Sequence, residues 1–238
     1  PFTAINGVDL CRSLEQASAT ASDATLAQVP ASGGVPRNVA YGIAAAGALA
    51  GLYAPAAMAQ KPAPVRPQVV LVLGDSLSAE YGLPRGTGWV ALLEKRLAQE
   101  EIAATVVNAS VSGETTSGGR SRLAALLTQH QPSQVVIELG GNDALRGLPL
   151  KNTEENLTWM VQTAQKSGAK VLLVGMQVPP NYGTDYANRF AATFTTVAKA
   201  RKVGVVPFFL KGVADGPDPT RLFQPDRIHP RAEAHPQM

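Results

Sequence analysis

A serine, an aspartate and a histidine of this 238-residue chain have the types and the spacing that nucleophilic catalysis requires. Ser76 follows a short apolar run by way of Gly74, and His229 lies three residues after Asp226. A serine hydroxyl needs a base to attack a carbonyl group at neutral pH, and the base needs a carboxylate that holds its tautomer. We therefore predict Ser76 as the nucleophile, His229 as the base and Asp226 as the carboxylate partner of that base.

The tetrahedral intermediate of such a reaction needs hydrogen-bond donors for its oxyanion, each worth about 3–4 kcal/mol in serine hydrolases. Gly113 follows a strand-like segment, and its lack of a side chain lets a backbone N–H approach a reacting centre. Asn142 can donate from its side-chain amide, and Ser76 can donate its own N–H. Three donors are therefore available from three separate parts of the chain.

The segments between these residues alternate between strand-like and helix-like patterns. Short runs rich in β-branched residues and leucine predict five strands, at 69–73, 104–108, 134–139, 170–175 and 204–208. Apolar side chains at helical spacing predict four helices, at 88–98, 122–129, 153–166 and 186–202. Asn152 or Thr153 is the expected N-cap of the third helix. The alternation predicts an α/β fold, a three-layer α/β/α sandwich around a parallel sheet, with the candidate residues beyond the carboxyl ends of its strands.

Four blocks of the chain resemble those that define the SGNH (GDSL) hydrolase family. They are Gly-Asp-Ser-Leu-Ser at 74–78, Asn-Ala-Ser-Val-Ser-Gly-Glu-Thr at 108–115, Gly-Gly-Asn-Asp at 140–143 and Asp-Arg-Ile-His at 226–229. The resemblance runs from residue 69 to about residue 236, and it implies a flavodoxin-like, five-stranded sheet. The residues at 88–93, 136–143 and 179–183 resemble the subgroup of periplasmic arylesterases, acyl-CoA thioesterases and lysophospholipases L1.

The resemblance implies acyl transfer through an acyl-enzyme on Ser76, with Ser76, Gly113 and Asn142 forming the oxyanion hole. It implies that no metal ion or organic cofactor is required, and that the partner is a small-molecule ester or thioester. We expect short to medium acyl esters as substrates, with thioesters and lysophospholipids as further ones. The expected substrate contacts come from two loops and are Asp143, Leu145, Pro180, Asn181 and Tyr182.

Two other functions remain open for the sequence. The first is a carbohydrate acetylesterase, which uses the same chemistry, so that only substrate preference separates it from the arylesterase type. The second is a non-catalytic lipid or carbohydrate binder on the same fold. This second function is disfavoured, because a binding protein has no need of a nucleophile, a base and an oxyanion donor together.

Two features depart from the subgroup pattern. Arg227 stands where the subgroup usually has glycine, one residue into the turn from Asp226 to His229. The subgroup also usually continues for another helix after its histidine, whereas this chain ends nine residues later, at Met238. We therefore expect a domain that is incomplete at its carboxyl end, with apolar surface exposed.

Several other residues with chemical potential are given structural roles. Asp75 is expected to anchor the loops of Ser76 and Asn142 rather than to act in the reaction. His130 is expected at a solvated helix end, and His235 has no partner that the sequence suggests. Without acidic or cysteine neighbours at ligand spacing, the three histidines of the chain predict no metal site.

The first 59 residues differ in composition from the remainder of the chain. Residues 37–59 carry an arginine, an apolar run and a small-x-small motif, which is typical of a signal peptide. We expect residues 1–36 to be a non-native upstream extension, 60–67 a proline-rich linker and 68–238 the hydrolase domain. This organisation predicts a periplasmic or secreted protein with no stable membrane anchor after cleavage. The net charge of +3 includes no basic run, which disfavours nucleic acid as a partner.

Overall fold

The structure is a computed structural model, and it describes residues 68–238. The predicted upstream extension, signal peptide and linker, at 1–36, 37–59 and 60–67, lie outside the described residues. No helix within 68–238 is long and apolar enough to cross a membrane.

The centre of the structure is a sheet of five parallel strands in the order β2-β1-β3-β4-β5. The strands are β1 (Gln68–Gly74), β2 (Ala104–Asn108), β3 (Gln134–Glu138), β4 (Lys170–Val174) and β5 (Gly204–Val206). The last five residues of β1 are all buried, as expected of a strand that is covered on both faces. The predicted five-stranded α/β fold is therefore confirmed, and the largest boundary error is at β5, which ends two residues early, before Pro207.

Five α-helices connect the strands. They are α1 (Trp89–Gln99), α2 (Thr116–His130), α3 (Gly141–Leu145), α4 (Leu150–Lys166) and α5 (Thr184–Arg201). Helices α2, α4 and α5 pack side by side, while α1 contacts β2 and the carboxyl-terminal turn. The short helix α3 was not predicted, because five residues that begin with glycine carry no helical periodicity.

Two helix starts differ from the prediction. Helix α2 begins six residues early, because the Thr115 side chain accepts a hydrogen bond from the Gly118 N–H and caps a glycine-containing first turn. Helix α4 begins at Leu150, after Pro149, so the predicted N-cap at Asn152 or Thr153 was wrong. Thr153 lies inside this helix and is fully buried, which frees its hydroxyl for a tertiary contact described below.

The carboxyl-terminal segment packs against the start of α1. Its six residues Ala232–Gln237 form a 3₁₀ helix, in which His235 is buried. The Nδ1 atom of His235 accepts the backbone N–H of Trp89 at 3.0 Å. That N–H belongs to the first turn of α1 and has no partner within the helix, so His235, which the sequence left unassigned, caps α1 from a distant part of the chain.

Candidate active site

Ser76 lies in the tight turn that follows β1. The carbonyl oxygen of Asp75 accepts the N–H groups of Ser78 and Ala79, at 3.2 and 2.9 Å. Gly74 precedes this turn, and a Cβ at this position would stand 2.6 Å from Ser78 Oγ and 2.8 Å from Glu138 Oε2. Only glycine therefore fits between the strand and the turn that presents Ser76.

The structure brings the three predicted residues together. His229 Nε2 lies 2.9 Å from Ser76 Oγ, and His229 Nδ1 lies 2.6 Å from Asp226 Oδ2. The His229 side chain is 16 % exposed, so solvent reaches it at one edge, as a substrate would have to. The arrangement can pass a proton from the hydroxyl to the imidazole while the carboxylate holds the opposite ring nitrogen.

The turn from Asp226 to His229 is organised by the Asp226 carboxylate. Its Oδ1 atom accepts the backbone N–H groups of Ile228 and His229, at 2.9 and 3.0 Å. Partial burial acts to raise the pKa of Asp226, but these two N–H groups and the imidazole outweigh it and lower the pKa to about 2. Asp226 is therefore ionised throughout the pH range in which His229 could act as a base.

Arg227 occupies a left-handed backbone conformation in this turn, with φ of 58°. Because this conformation costs a residue with a Cβ about 1–2 kcal/mol and glycine far less, we expect Arg227→Gly to raise the free energy of unfolding by about 0.5–1 kcal/mol. Urea unfolding of both proteins would measure the change. Ile228→Gly is the matched control, since Ile228 lacks a positive φ and should lose stability instead; a loss of stability in both variants would contradict the prediction.

The other two predicted oxyanion donors lie after β2 and β3. Gly113 has a φ of 78°, and its carbonyl oxygen accepts a hydrogen bond from Arg146 at 2.7 Å, which ties this loop to the end of α3. Asn142 lies in the first turn of α3, where its Nδ2 donates to Asp75 Oδ2 at 3.0 Å. Within residues 68–238, the backbone N–H groups of Ser76 and Gly113 donate to no protein acceptor. They are therefore free to bind an oxyanion.

Asp75 contacts both loops that it was predicted to anchor. Its Oδ1 accepts the Leu77 N–H at 3.0 Å, and its Oδ2 accepts the Asn142 amide. The side chain is buried, and burial raises the pKa of Asp75 to about 6. It does not contact the imidazole of His229 by a hydrogen bond, so its contacts are those of an anchor.

Replacement of Asn142 tests the proposed oxyanion contact. We expect Asn142→Ala to lower kcat on an ester by about 10²–10³-fold with a small change in KM, because the lost donor acts mainly on the charge that develops in the transition state. Steady-state kinetics of the purified variant would measure this. Asn152→Ala, at an exposed position of α4, is the control; a rise in KM alone would assign Asn142 to substrate binding instead.

Asp143 is buried and hydrogen-bonded within the protein, which corrects the prediction that it contacts the substrate. Its side chain is buried, and its carboxylate accepts the N–H and the hydroxyl of Thr116 and the hydroxyl of Thr153, the last at 3.2 Å. Thr116 begins α2, where a carboxylate is favourable because the backbone N–H groups of the first turn point outward. Asp143 therefore joins the Gly113 loop to the Asn142 helix.

The remaining predicted substrate contacts lie in loops that follow β3 and β4. Leu145 ends α3 and is 41 % exposed, while Pro180–Tyr182 form a 3₁₀ helix whose Asn181 and Tyr182 are exposed. The substrate contacts of these loop residues stay a prediction. Two of these residues, Leu145 and Tyr182, belong with four other side chains to an exposed apolar set in the segments that follow the five strands, which consists of Tyr81, Val111, Leu145, Leu148, Tyr182 and Ile228.

Two residues near the site were missed by the sequence analysis. The ring of Tyr81 lies 4.3 Å from the ring of His229, centroid to centroid, with 35° between the planes. Glu138 ends β3 and lies fully buried beside Asp75. The one available signal was that a glutamate closes an otherwise apolar strand. In the described part of the chain, no group of three or more His, Cys, Asp or Glu side chains could hold a metal ion.

Comparison with known proteins gives consistent matches over this region. The model of the GDSL-like Lipase/Acylhydrolase family matches residues 72–236. Esterase TesA of Pseudomonas aeruginosa is 50 % identical over 171 residues, which are 72 % of this chain and 84 % of that protein. Thioesterase 1/protease 1/lysophospholipase L1 of Escherichia coli K12 is 42 % identical, over 70 % of this chain and 77 % of that protein. The crystal structure of TesA superposes with a TM-score of 0.68 at 51 % identity, over 71 % of this chain and 92 % of the other. The chain therefore belongs to the GDSL-like lipase/acylhydrolase family.

Proposed function

We propose that the chain is a serine carboxylic-ester hydrolase that works through an acyl-enzyme on Ser76. The observation that carries the proposal is the continuous series of contacts from Ser76 Oγ to His229 Nε2 and from His229 Nδ1 to Asp226 Oδ2. A binding protein on the same fold would not require this alignment of a hydroxyl, an imidazole and an ionised carboxylate.

The first half of the reaction forms the acyl-enzyme. Ser76 Oγ attacks the ester carbonyl carbon while His229 Nε2 takes the hydroxyl proton, and Asp226 stabilises the imidazolium that results. The negative charge on the former carbonyl oxygen is stabilised by the free N–H groups of Ser76 and Gly113 and by the Asn142 amide. The intermediate then collapses, and His229 returns the proton to the departing alcohol.

The second half releases the acid. A water molecule attacks the acyl carbon as His229 takes one of its protons, and the second tetrahedral intermediate passes through the same three donors. Its collapse frees the carboxylic acid and returns the proton to Ser76 Oγ. One water is consumed for each ester, and the chain ends in its starting state.

Short to medium acyl esters are the proposed substrates, with thioesters and lysophospholipids as further ones. The exposed apolar set lies in segments that follow the carboxyl ends of the strands, as Ser76 does, which supports contacts to an acyl chain from several of these segments. The printed names of the relatives, an esterase and a thioesterase/lysophospholipase, support the same substrate classes.

Hydrolysis of a series of p-nitrophenyl esters from acetyl to palmitoyl tests the proposal. We expect activity that peaks at a short or medium acyl length, together with stoichiometric modification of Ser76 by a phosphonate ester, located by peptide mass spectrometry. A strong preference for acetylated sugars would favour the carbohydrate acetylesterase. A folded protein that hydrolyses none of these esters and leaves Ser76 unmodified would contradict the proposal and favour a non-catalytic binder.

We also propose that the protein is exported, with cleavage after the small-x-small motif of its signal peptide at 37–59. The mature chain should then begin at Gln60, the first residue of the linker, and continue into the hydrolase domain at 68–238. Amino-terminal sequencing of the protein from the periplasmic or extracellular fraction would measure this. A mature protein that keeps residues 37–59 would contradict the proposal.

A further inference from the structure

Glu138 is a buried ionisable residue that the proposed reaction leaves unused. It ends β3 in register with Gly74, the residue after which the turn of Ser76 begins, and its side chain is 2 % exposed. Burying a carboxyl group is unfavourable unless hydrogen bonds compensate for the lost water. Hydrogen bonds within the protein must therefore replace the water that the Glu138 carboxyl group has lost.

One oxygen of Glu138 accepts two hydrogen bonds. Its Oε2 accepts the Ser78 hydroxyl at 2.7 Å and the Asp75 backbone N–H at 3.3 Å. The direction of the Ser78 contact is set by Trp89, whose indole Nε1 donates to Ser78 Oγ at 3.1 Å. Three residues of the turn and of α1 thus hold this carboxyl group in one orientation.

The buried carboxyl group of Glu138 is adjacent to Asp75, because its Oε2 accepts the Asp75 backbone N–H. Two neighbouring carboxyl groups that are both buried are unfavourable as two negative charges, which favours a proton on one of them. Asp75 already accepts the N–H of Leu77 and the amide of Asn142, which require lone pairs on both of its oxygens. Burial and the adjacent charge of Asp75 raise the pKa of Glu138 well above its ordinary value, which places the proton on Glu138.

The Asp75 carboxylate in turn holds the side chain of Asn142. The Asn142 amide nitrogen has two N–H groups, and the one that donates to Asp75 at 3.0 Å fixes the orientation of the amide plane. The second N–H then has a defined direction, which an oxyanion donor needs in order to act without reorganisation.

We propose that Glu138 is a positioning residue, which as a neutral acid donates its proton to Asp75 and thereby holds the Asn142 amide in the orientation that binds the oxyanion. This inference rests on the proposed function, specifically on Asn142 as an oxyanion donor. In this role Glu138 does not contact the substrate. Its carboxyl group acts as a neutral hydrogen-bond donor, not merely as a group that fills space below the turn.

Two substitutions separate these roles. Glu138→Gln keeps the shape and supplies an amide that donates to Asp75 and accepts from Ser78, so its kcat should stay within about 3-fold of the wild type. Glu138→Met has similar volume but no donor, and we expect kcat to fall by about 10–100-fold with little change in KM, because a small misplacement of a catalytic group can cost up to about 10²-fold. Asp75→Asn has an isosteric side chain and disrupts the contacts of position 75 with Glu138 and Asn142. This variant replaces Glu138→Met in the experiment if the methionine variant does not fold.

A double-mutant cycle with Asn142→Ala is the decisive measurement. If Glu138 acts through Asn142, the loss in kcat caused by Glu138→Met should shrink to within about 3-fold when Asn142 is already alanine. Thr193→Val, which removes a buried hydroxyl of α5 distant in sequence from all these residues, is the control for loss of stability alone and should leave kcat unchanged.

The outcomes separate this inference from the proposed function. An equal loss in both backgrounds, or a loss of more than about 30-fold in a folded Glu138→Gln variant, would overturn the positioning role alone. An Asn142→Ala enzyme with unchanged kcat would overturn this inference together with the oxyanion role of Asn142. Absence of ester hydrolysis by the wild type would overturn the proposed function itself.

Discussion

Ser76→Ala is expected to lower kcat for ester hydrolysis by about 10⁴-fold or more, because the variant has no hydroxyl to form the acyl-enzyme and keeps only the acceleration due to binding and the oxyanion donors. Among residues 68–238, the only hydrogen-bond partner of the hydroxyl is His229 Nε2, at 2.9 Å. The melting temperature should therefore change little. Stopped-flow or prolonged steady-state assays with the best p-nitrophenyl ester would measure the loss, and intact-protein mass spectrometry would show that the acyl adduct is absent.

The matched control for this variant is Ser121→Ala. Ser121 lies on the exposed surface of α2, where its hydroxyl donates to the Gly118 carbonyl oxygen at 2.6 Å. This variant should retain full activity, which would exclude a general effect of replacing serine. Residual hydrolysis by Ser76→Ala within 10-fold of the wild type would show that another group, or a water molecule activated by His229, performs the attack.

Asp226→Asn is expected to lower kcat by about 10⁴-fold, since an amide in place of the carboxylate favours the wrong imidazole tautomer and no longer stabilises the imidazolium. The turn itself should survive, because the asparagine Oδ1 can still accept the N–H groups of Ile228 and His229. A large loss of kcat with unchanged circular dichroism is therefore the expected result. A loss of less than about 10-fold would mean that the turn orients His229 without the charge.

The pH profile of the wild type provides an independent check on Asp226. Its pKa is lowered to about 2, so the carboxylate loses its charge only when the pH falls to about that value. The fall of kcat at acidic pH should therefore include no protonation of Asp226 above about pH 3. A step in the acid limb of the wild type above about pH 3 that the Asp226→Asn variant loses would contradict this assignment, because it would be the titration of Asp226 itself.

The strands and the order of the candidate residues could be predicted because each depends on local pattern. The run of β-branched and leucine side chains before Gly74 allows only a buried strand, and a residue that follows a parallel strand must lie at the carboxyl edge of the sheet. The contact of Ser76 with His229 follows from that edge together with the family blocks. The start of α2 was predicted six residues late, because Gly118 and Gly119 weaken the helical pattern of the first turn. The cap formed by Thr115 compensates for these glycines.

The supporting contacts could not be predicted because they depend on register between strands. The sequence assigns Glu138 no role, and only the pairing of β1 with β3 places it opposite Gly74. Asp143 reads as a polar loop residue near the substrate until the start of α2 is placed, at which point its carboxylate lies against Thr116. Carboxyl groups are usually exposed, but in both of these residues hydrogen bonds from residues distant in sequence make burial of the side chain favourable.

The distance along the chain between Ser76 and His229, which is 153 residues, has a consequence for biosynthesis. The ribosome makes the nucleophile 153 residues before the base, so the nascent chain carries an unactivated serine until residue 229 has been added. Under the proposed mechanism, no intermediate of synthesis that lacks residue 229 can cleave the esters of the compartment in which it is made. Hydrolytic competence then arises in a single late step, when the segment around His229 docks on the turn after β1.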